Sequence, residues 1–294
     1  MNGVINIYKN RGMTSFDVVA MVRRVSKMKK VGHTGTLDPE ATGVLPICLG
    51  KATKIIDYIM ENKKVYRVSF KLGMVTDTYD LEGKVLKKQD ASFIKKEDIL
   101  NCINSFVGKI DQVPPMYSAL KQNGVRLYEL ARQGIEVPRE AREVTIYSIS
   151  NINIESEDNI EMDVCCSKGT YIRSLCYDIG EKLEVGATMT SLERIQNGPF
   201  KKEEAINIED LTEELLRDNL ILIEDALDSF EELVVNQGFS KLLRNGVKVF
   251  DKRIFEKEVE IDKLYRVYDH KGIFLGLGKR DEKGFKLEKL LIEE

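Results

Sequence analysis

Apolar and polar positions alternate most clearly over 65–72. Tyr66, Val68, Phe70 and Leu72 share one face there, while Arg67, Ser69 and Lys71 take the other, which predicts a half-buried strand. The opening Val4-Ile5-Asn6-Ile7-Tyr8 reads as a shorter strand, closed by the turn Asn10-Arg11-Gly12. Spacing then changes to that of a helix. Phe16, Val19, Val22 and Val25 line one side of 16–28, with Thr14 as N-cap and Asp17 as its capping partner. Further helices are predicted over 51–59, over 98–106 (Ile99, Ile103 and Phe106, ended by Gly108) and over 170–183 (Leu175, Ile179 and Leu183). Val144, Ile146 and Ser148, then Ile160, Met162, Val164 and Cys166, mark more strands. Strands and helices follow no regular βαβ rhythm, so the expected class is α+β with a mixed sheet.

The texture changes after Phe200. Two acidic stretches, 208–217 and 223–230, are expected to be helical. They lead into a strand-rich tail punctuated by Gly238, Gly246, Gly272, Gly276, Gly278 and Gly284. This predicts a boundary near 225–235 and a small β module beyond it.

Composition alters this picture little, but charge distribution does. The 294 residues carry 45 basic and 48 acidic side chains, a net of −3, which by itself announces no nucleic-acid binder. Residues 1–70, however, hold 12 basic against 5 acidic side chains, and 201–294 hold 17 against 23. A local basic surface can meet phosphates while acidic regions keep the molecule soluble. Arg23, Arg24, Lys27, Lys29 and Lys30 cluster at the end of the first helix, where cations also suit the helix dipole. No apolar run of about 18 residues is present, so no membrane span is expected. The first residues lack the pattern of a secretion signal. Five cysteines at unmatched spacings suggest free thiols in a reducing, cytoplasmic setting, with neither a disulfide framework nor a zinc site.

The strongest candidate chemistry lies in Gly32–Pro46, where Asp38 sits in a polar, glycine-marked loop, directly before Pro39. Proline restricts the residue before it to extended backbone, and glycines allow close approach, so such a loop can hold a short carboxylate rigidly. A turn residue or helix cap is the plainer account of Asp38. Tyr66 on its strand face suits core packing, His33 suits a loop hydrogen bond, and Arg173 can pair with any nearby acid. Metal binding is rejected because His270 is the only other histidine and no Cys or Asp cluster accompanies either. Asp77 and Asp80 fit a polar turn before Gly83.

Motifs in order along 3–200 narrow these alternatives. They are Lys9-Asn10-Arg11-Gly12-Met13-Thr14-Ser15, the Asp38 loop, Lys64-Val65-Tyr66, Leu72-Gly73, and Thr76-Asp77-Thr78-Tyr79-Asp80-Leu81-Glu82-Gly83. Then come Gln112–Lys121, Gly124–Arg132, Cys166–Leu175 and Gly186–Arg194. Together they resemble the TruB family of bacterial tRNA pseudouridine synthases, with Asn10 standing where that family more usually has proline.

The resemblance implies a pseudouridine-synthase α+β fold with a central mixed, mostly antiparallel sheet. It implies a catalytic domain over 1–225, with a thumb-like RNA-binding segment near 116–132. A small C-terminal PUA-like RNA-binding module over 230–294 would follow, for which a passive packing appendage is the alternative. By the same resemblance Asp38 is the catalytic aspartate, Tyr66 stacks on the target base, and Arg173 pairs with and orients Asp38. His33 lies near the gap left by the flipped nucleotide. Lys9, Tyr171 and Leu192 shape or support the pocket, and Arg126 and Arg132 contact RNA from the thumb.

The implied activity is isomerisation of uridine 55 in the T loop of tRNA. That chemistry breaks the N-glycosidic bond, turns the uracil and joins C5 to C1′, with no metal or cofactor required. The residues leave open whether Asp38 attacks the sugar or assists elimination through its 2′ position. The implied partner is the T-arm of tRNA, with no membrane, obligate protein partner or guide RNA. The alternatives are a tRNA-binding folding chaperone with little catalysis and a synthase acting on another RNA.

Overall fold

The alternation over 64–72 places this segment at the centre of the main sheet. The computed structural model describes residues 1–122, 124–156, 159–250 and 258–292. The chain opens with β1 (Gly3–Lys9), α1 (Ser15–Ser26), β2 (Val31–His33) and β3 (Thr42–Leu49). A tight helical turn over Gly50–Ile55 runs into α2 (Ile56–Met60), followed by β4 (Lys64–Leu72) and the hairpin β5 (Met74–Thr76) and β6 (Val85–Lys88). Next come α3 (Lys96–Asn104), β7 (Gly108–Gln112), the two-residue strands β8 (Lys121–Gln122) and β9 (Val125–Arg126), and α4 (Leu127–Arg132). The strands β10 (Arg142–Ser156) and β11 (Asn159–Cys166) lead through α5 (Ile172–Lys182) to β12 (Ala187–Asn197), β13 (Phe200–Lys201) and β14 (Ile206–Asn207). The remainder holds α6 (Glu213–Asp218), β15 (Glu231–Val235), α7 (Gln237–Arg244), β16 (Leu264–Asp269), β17 (Phe274–Asp281) and β18 (Gly284–Leu290).

The main sheet runs β14-β1-β3-β12-β4-β11-β10-β7, with β2 beside β3 and β13 beside β12. Only the β1–β14 and β3–β12 pairings are parallel, so the sheet is mixed and mostly antiparallel, as expected. One core packs Val68, Phe70 and Leu72 with Ile99 and Ile103 of α3 and Leu175 and Ile179 of α5. A second packs Ile5, Ile7, Leu45 and Ile47 with Val18 and Val22 of α1. Tyr66 and Leu192 touch both clusters and so sit at the seam between them. The expected capping box closes α1: Thr14 N donates to Asp17 Oδ2 at 2.8 Å, and Asp17 N to Thr14 Oγ1 at 3.1 Å.

A separate sheet, β15-β16-β17-β18, encloses its own core of Leu233, Val267, Leu275 and Phe285. It is held to the first part through Leu277 and Leu291, which pack with Val44, Ile55 and Ile59. Lys51 Nζ also donates to the Ile292 carbonyl at 2.6 Å, and Lys54 Nζ to that of Leu290 at 3.1 Å.

Two expectations need correction. The acidic stretch 223–230 forms only a helical turn at Asp225–Leu227. Ile221 is drawn into two backbone bonds with Val4, at 2.8 and 2.9 Å, which hold the preceding chain extended. The stretch 208–217 is likewise broken, into a turn at Ile208–Asp210 and the short α6. The tail is strand-rich and also holds α7, capped by Asn236, whose side chain accepts from Phe239 N at 3.0 Å. Of 116–132, only the last six residues are helical, and a small β8–β9 hairpin precedes them.

Candidate active site

The Asp38 loop joins β2 to β3 and is held from below. Ser15, the first residue of α1, clamps Leu37 in both directions: its hydroxyl accepts from Leu37 N at 2.9 Å and donates to Leu37 O at 3.2 Å. Leu37 itself is buried. Lys9, at the end of β1, is fully buried, and its ammonium donates to the carbonyls of Met13 (2.8 Å), Asn10 (3.0 Å) and Pro39 (3.1 Å). Burial lowers its pKa to about 8, against the pull of Asp38 and Glu40. A turn closes beyond Asp38, with Ala41 N donating to Asp38 O at 3.1 Å. The loop thus delivers the carboxylate from an anchored backbone, the preorganisation that precise chemistry requires.

Across the pocket, α5 begins directly after Tyr171. The buried Gln112 side chain fixes that start by accepting from Tyr171 N at 2.8 Å and donating to Tyr171 O at 3.0 Å. Arg173, in the first turn, extends Nη2 to within 2.9 Å of Asp38 Oδ2. The same guanidinium reaches Asp80 Oδ2 at 3.4 Å, the Thr78 carbonyl at 3.2 Å and the Tyr117 carbonyl at 2.9 Å. The Arg173 side chain is 8% exposed and that of Asp38 45% exposed, so the cation is sealed while the carboxylate stays open to a ligand. Such burial is costly for a cation and is offset here by two carboxylates and two carbonyls.

The half-buried Tyr66 lies on β4, opposite Arg194 of β12. Burial raises the pKa of its hydroxyl, Arg194 opposes that rise, and the Asp38 charge adds to it. Tyr171 is also raised, chiefly by burial, and feels both Asp38 and Arg173. Leu192, two residues before Arg194, packs at the same seam as Tyr66. His33 closes β2 and accepts from Gly35 N through Nδ1 at 3.2 Å; burial, then the Arg194 charge, depresses its pKa. Lys9, His33, Asp38, Tyr66, Tyr171, Arg173 and Leu192 thus gather around one loop and the seam beside it.

Arg126 and Arg132 sit elsewhere. Both are exposed and flank Tyr128, with guanidinium carbons 5.8 and 5.5 Å from its ring centroid. This group is tied back to the pocket by backbone: Tyr128 N donates to Ser118 O, next to the Tyr117 carbonyl that holds Arg173.

Sequence reasoning assigned no site role to Asp80 or Arg194. Asp80 was read as part of a polar turn, and it does accept from Thr78 Oγ1 (2.5 Å) and Glu82 N (3.1 Å). Its other oxygen is the one facing Arg173. Arg194 is 1% exposed and donates to Val44 O at 2.7 Å and Gly35 O at 3.2 Å. A signal for it existed: Leu192 and Arg194 share a strand face, so a cation stands where the alternation calls for an apolar residue. Among the described residues, no three His, Cys, Asp or Glu side chains gather to hold a metal ion, and no helix is long and apolar enough to cross a membrane.

Comparison with known proteins follows the same lines. Residues 23–172 match the family model described as TruB family pseudouridylate synthase (N terminal domain), and 173–235 match that of the tRNA pseudouridylate synthase B C-terminal domain. The chain is 84% identical over 294 residues to a protein of Clostridium perfringens (strain SM101 / Type A) named tRNA pseudouridine synthase B, covering all of both chains. It is 56% identical to the protein of that name from Clostridium tetani, over 99% of this chain and 100% of the other. Among solved structures, a chain of a Cbf5-Nop10-Gar1 complex is similar at 28% identity with a TM-score of 0.75, over 99% of this chain and 84% of that one.

Proposed function

Because the chain belongs to the TruB family of pseudouridylate synthases, we propose that it isomerises uridine to pseudouridine in tRNA, at position 55 of the T loop. The observation that carries the chemistry is the contact between a half-open Asp38 and a sealed Arg173. Arg173 keeps the carboxylate oriented. Asp38 then acts on the ribose of the target, by attack at the sugar or by assisting elimination at its 2′ position. Tyr66 stacks on the uracil while the base turns to present C5 to C1′.

The target must first leave its stack, at a cost of a few kcal/mol that pocket contacts offset. His33 stands at the edge of the loop, where it fills the gap that the nucleotide leaves. Lys9 fixes the loop, while Tyr171 and Leu192 complete the pocket wall. The exposed Arg126 and Arg132 meet phosphates of the T-arm. The reaction moves atoms within one nucleotide and needs no co-reactant, and the same reading takes the protein to work as a single chain without guide RNA. Free cysteines suit a reducing cytoplasm.

The test is incubation of the purified protein with unmodified tRNA and with a T-loop uridine-to-cytidine control, without added metal or nucleotide, followed by chemical mapping of pseudouridine. A single Asp38-dependent modification at position 55 is expected. No modification at any uridine, by a folded protein that binds the tRNA, overturns the reading.

A further inference from the structure

We propose that Tyr79 and Tyr177 form a stacked pair that positions Asp80 against Arg173 and, through Arg173, the carboxylate of Asp38. The proposal rests on the function given above and deepens it. The two rings stack with centroids 4.1 Å apart and planes 21° from parallel. Tyr79 immediately precedes Asp80 in the turn between β5 and β6, and Tyr177 follows Arg173 by four residues on α5. Residues four apart share a helix face, so the stack and the Asp80–Arg173 contact lie one turn apart along the same side of α5.

Tyr79 has a φ of +65°, in the left-handed region. That conformation suits glycine or asparagine and is costly for a bulky side chain. Turn formation alone therefore gives no reason for an aromatic residue here, whereas the stack on Tyr177 does. The backbone is pinned as well: Met189 N of β12 donates to the Tyr79 carbonyl at 3.0 Å, and Asp80 bridges to Met189. With its carbonyl on β12 and its ring on Tyr177, Tyr79 has one placement, and both of its chain neighbours follow it.

Those neighbours hold one end of the Arg173 guanidinium. Nη1 donates to the Thr78 carbonyl at 3.2 Å and faces Asp80 Oδ2 at 3.4 Å, whereas Nη2 carries the contacts to Asp38 and to the Tyr117 carbonyl. Asp80 is steadied within the turn, its carboxylate by Thr78 Oγ1 at 2.5 Å and its carbonyl by Thr76 Oγ1 at 2.7 Å. A guanidinium is a rigid planar fork, so fixing Nη1 fixes the direction of Nη2. If the turn slides along α5, Nη1 loses two acceptors and the 2.9 Å contact with Asp38 is no longer held in line. The aromatic pair opposes that slide and acts through Arg173, which makes both tyrosines positioning residues.

The experiment is a double-mutant cycle on single-turnover pseudouridine formation at saturating tRNA, using the wild type, Y79N, Y177L and the double variant. Binding of tRNA and thermal melting are measured on each. Asparagine accepts the left-handed turn, so Y79N removes the ring and keeps the backbone path. Its rate should fall roughly 3- to 10-fold, the scale of one aromatic pair, with tRNA affinity within about twofold and melting close to wild type. Y177L should lose a similar factor, and the double variant no more than either alone, because the two changes remove the same contact. Y79F keeps the stack and should recover most of the rate. In an Asp80→Asn background the Y79N loss should shrink, because the charge being positioned is already gone. Wild-type rates for Y79N and Y177L, losses that multiply in the double variant, or an undiminished Y79N loss beside D80N overturn the proposal. If Y177L does not fold, Y79N with and without D80N decides it. An inactive wild type removes the synthase reading itself, whereas an active wild type with unaffected tyrosine variants removes only this inference.

Discussion

The buried ammonium of Lys9 donates to the carbonyl of Pro39 at 3.1 Å, and Pro39 is the residue that follows Asp38. A side chain at the end of the first strand therefore fixes the peptide that carries the proposed catalytic carboxylate. Lys9→Met takes the ammonium away from three carbonyls, of which only that of Pro39 keeps another donor, Gly12 N, and should destabilise the fold by about 2–4 kcal/mol. Thermal melting should show a fall on the order of 5–10 °C. At temperatures where the variant is folded, its rate should fall more than its tRNA affinity.

Asp38→Asn keeps the shape of the side chain and removes its charge. Pseudouridine formation should drop at least about a thousandfold, while tRNA binding and melting temperature stay close to wild type. Single-turnover rates with quantitative mapping of position 55 check this.

Asp80 shares the Arg173 guanidinium with Asp38. Asp80→Asn removes one of the two anions that hold Arg173 in place, and the rate should fall about 10- to 100-fold. Affinity for tRNA should be unchanged, which separates this effect from a loss of binding.

Asp178 offers a test by pH. Burial, with Glu181 adding to it, lifts its carboxyl from 3.8 to about 6. Below about pH 4 the group is protonated in both folded and unfolded chains and costs nothing. Between about pH 4 and 6 the unfolded chain ionises while the folded protein still holds the proton, so stability falls across that range and levels off above it. Asp178→Asn escapes this loss. Its melting temperature at pH 7.5 should exceed the wild type by about 2–5 °C, allowing for partial solvent screening, with the advantage gone near pH 4.

Arg126 and Arg132 are exposed and flank Tyr128. Replacing either with alanine should weaken tRNA binding several-fold and lower the slope of log affinity against log salt by about 1. Titrations across a salt series measure both quantities. An unchanged slope would exclude a phosphate contact.

Local order was legible wherever short-range forces decide it. The strand over 64–72 follows from alternation, and the start of α1 from the reciprocal Thr14–Asp17 cap. The stretch 223–230 misled because it is confined between two pairings distant in sequence, Val4–Ile221 before it and β15 with β16 from Glu231 after it. The site was less legible from residues alone. Asp38 precedes β3 and Arg173 follows β11, two strands that the sheet separates by β12 and β4, and no local pattern joins the two residues; family resemblance did. Asp80 resembled an ordinary turn residue because one of its oxygens is in fact engaged in the turn. Arg194 left only a broken alternation, and its carbonyl partners leave no trace in side-chain identity.

The cations around Asp38 are seated on main-chain oxygens: Lys9 on those of Asn10, Met13 and Pro39, Arg173 on those of Thr78 and Tyr117, and Arg194 on those of Gly35 and Val44. Every amino acid supplies that oxygen, so mutational drift at Asn10, Met13 or Tyr117 can change the side chain and leave the seat intact. Selection at these seats then falls on the cations and on the backbone path, and the residues that lend only a carbonyl are free to diverge.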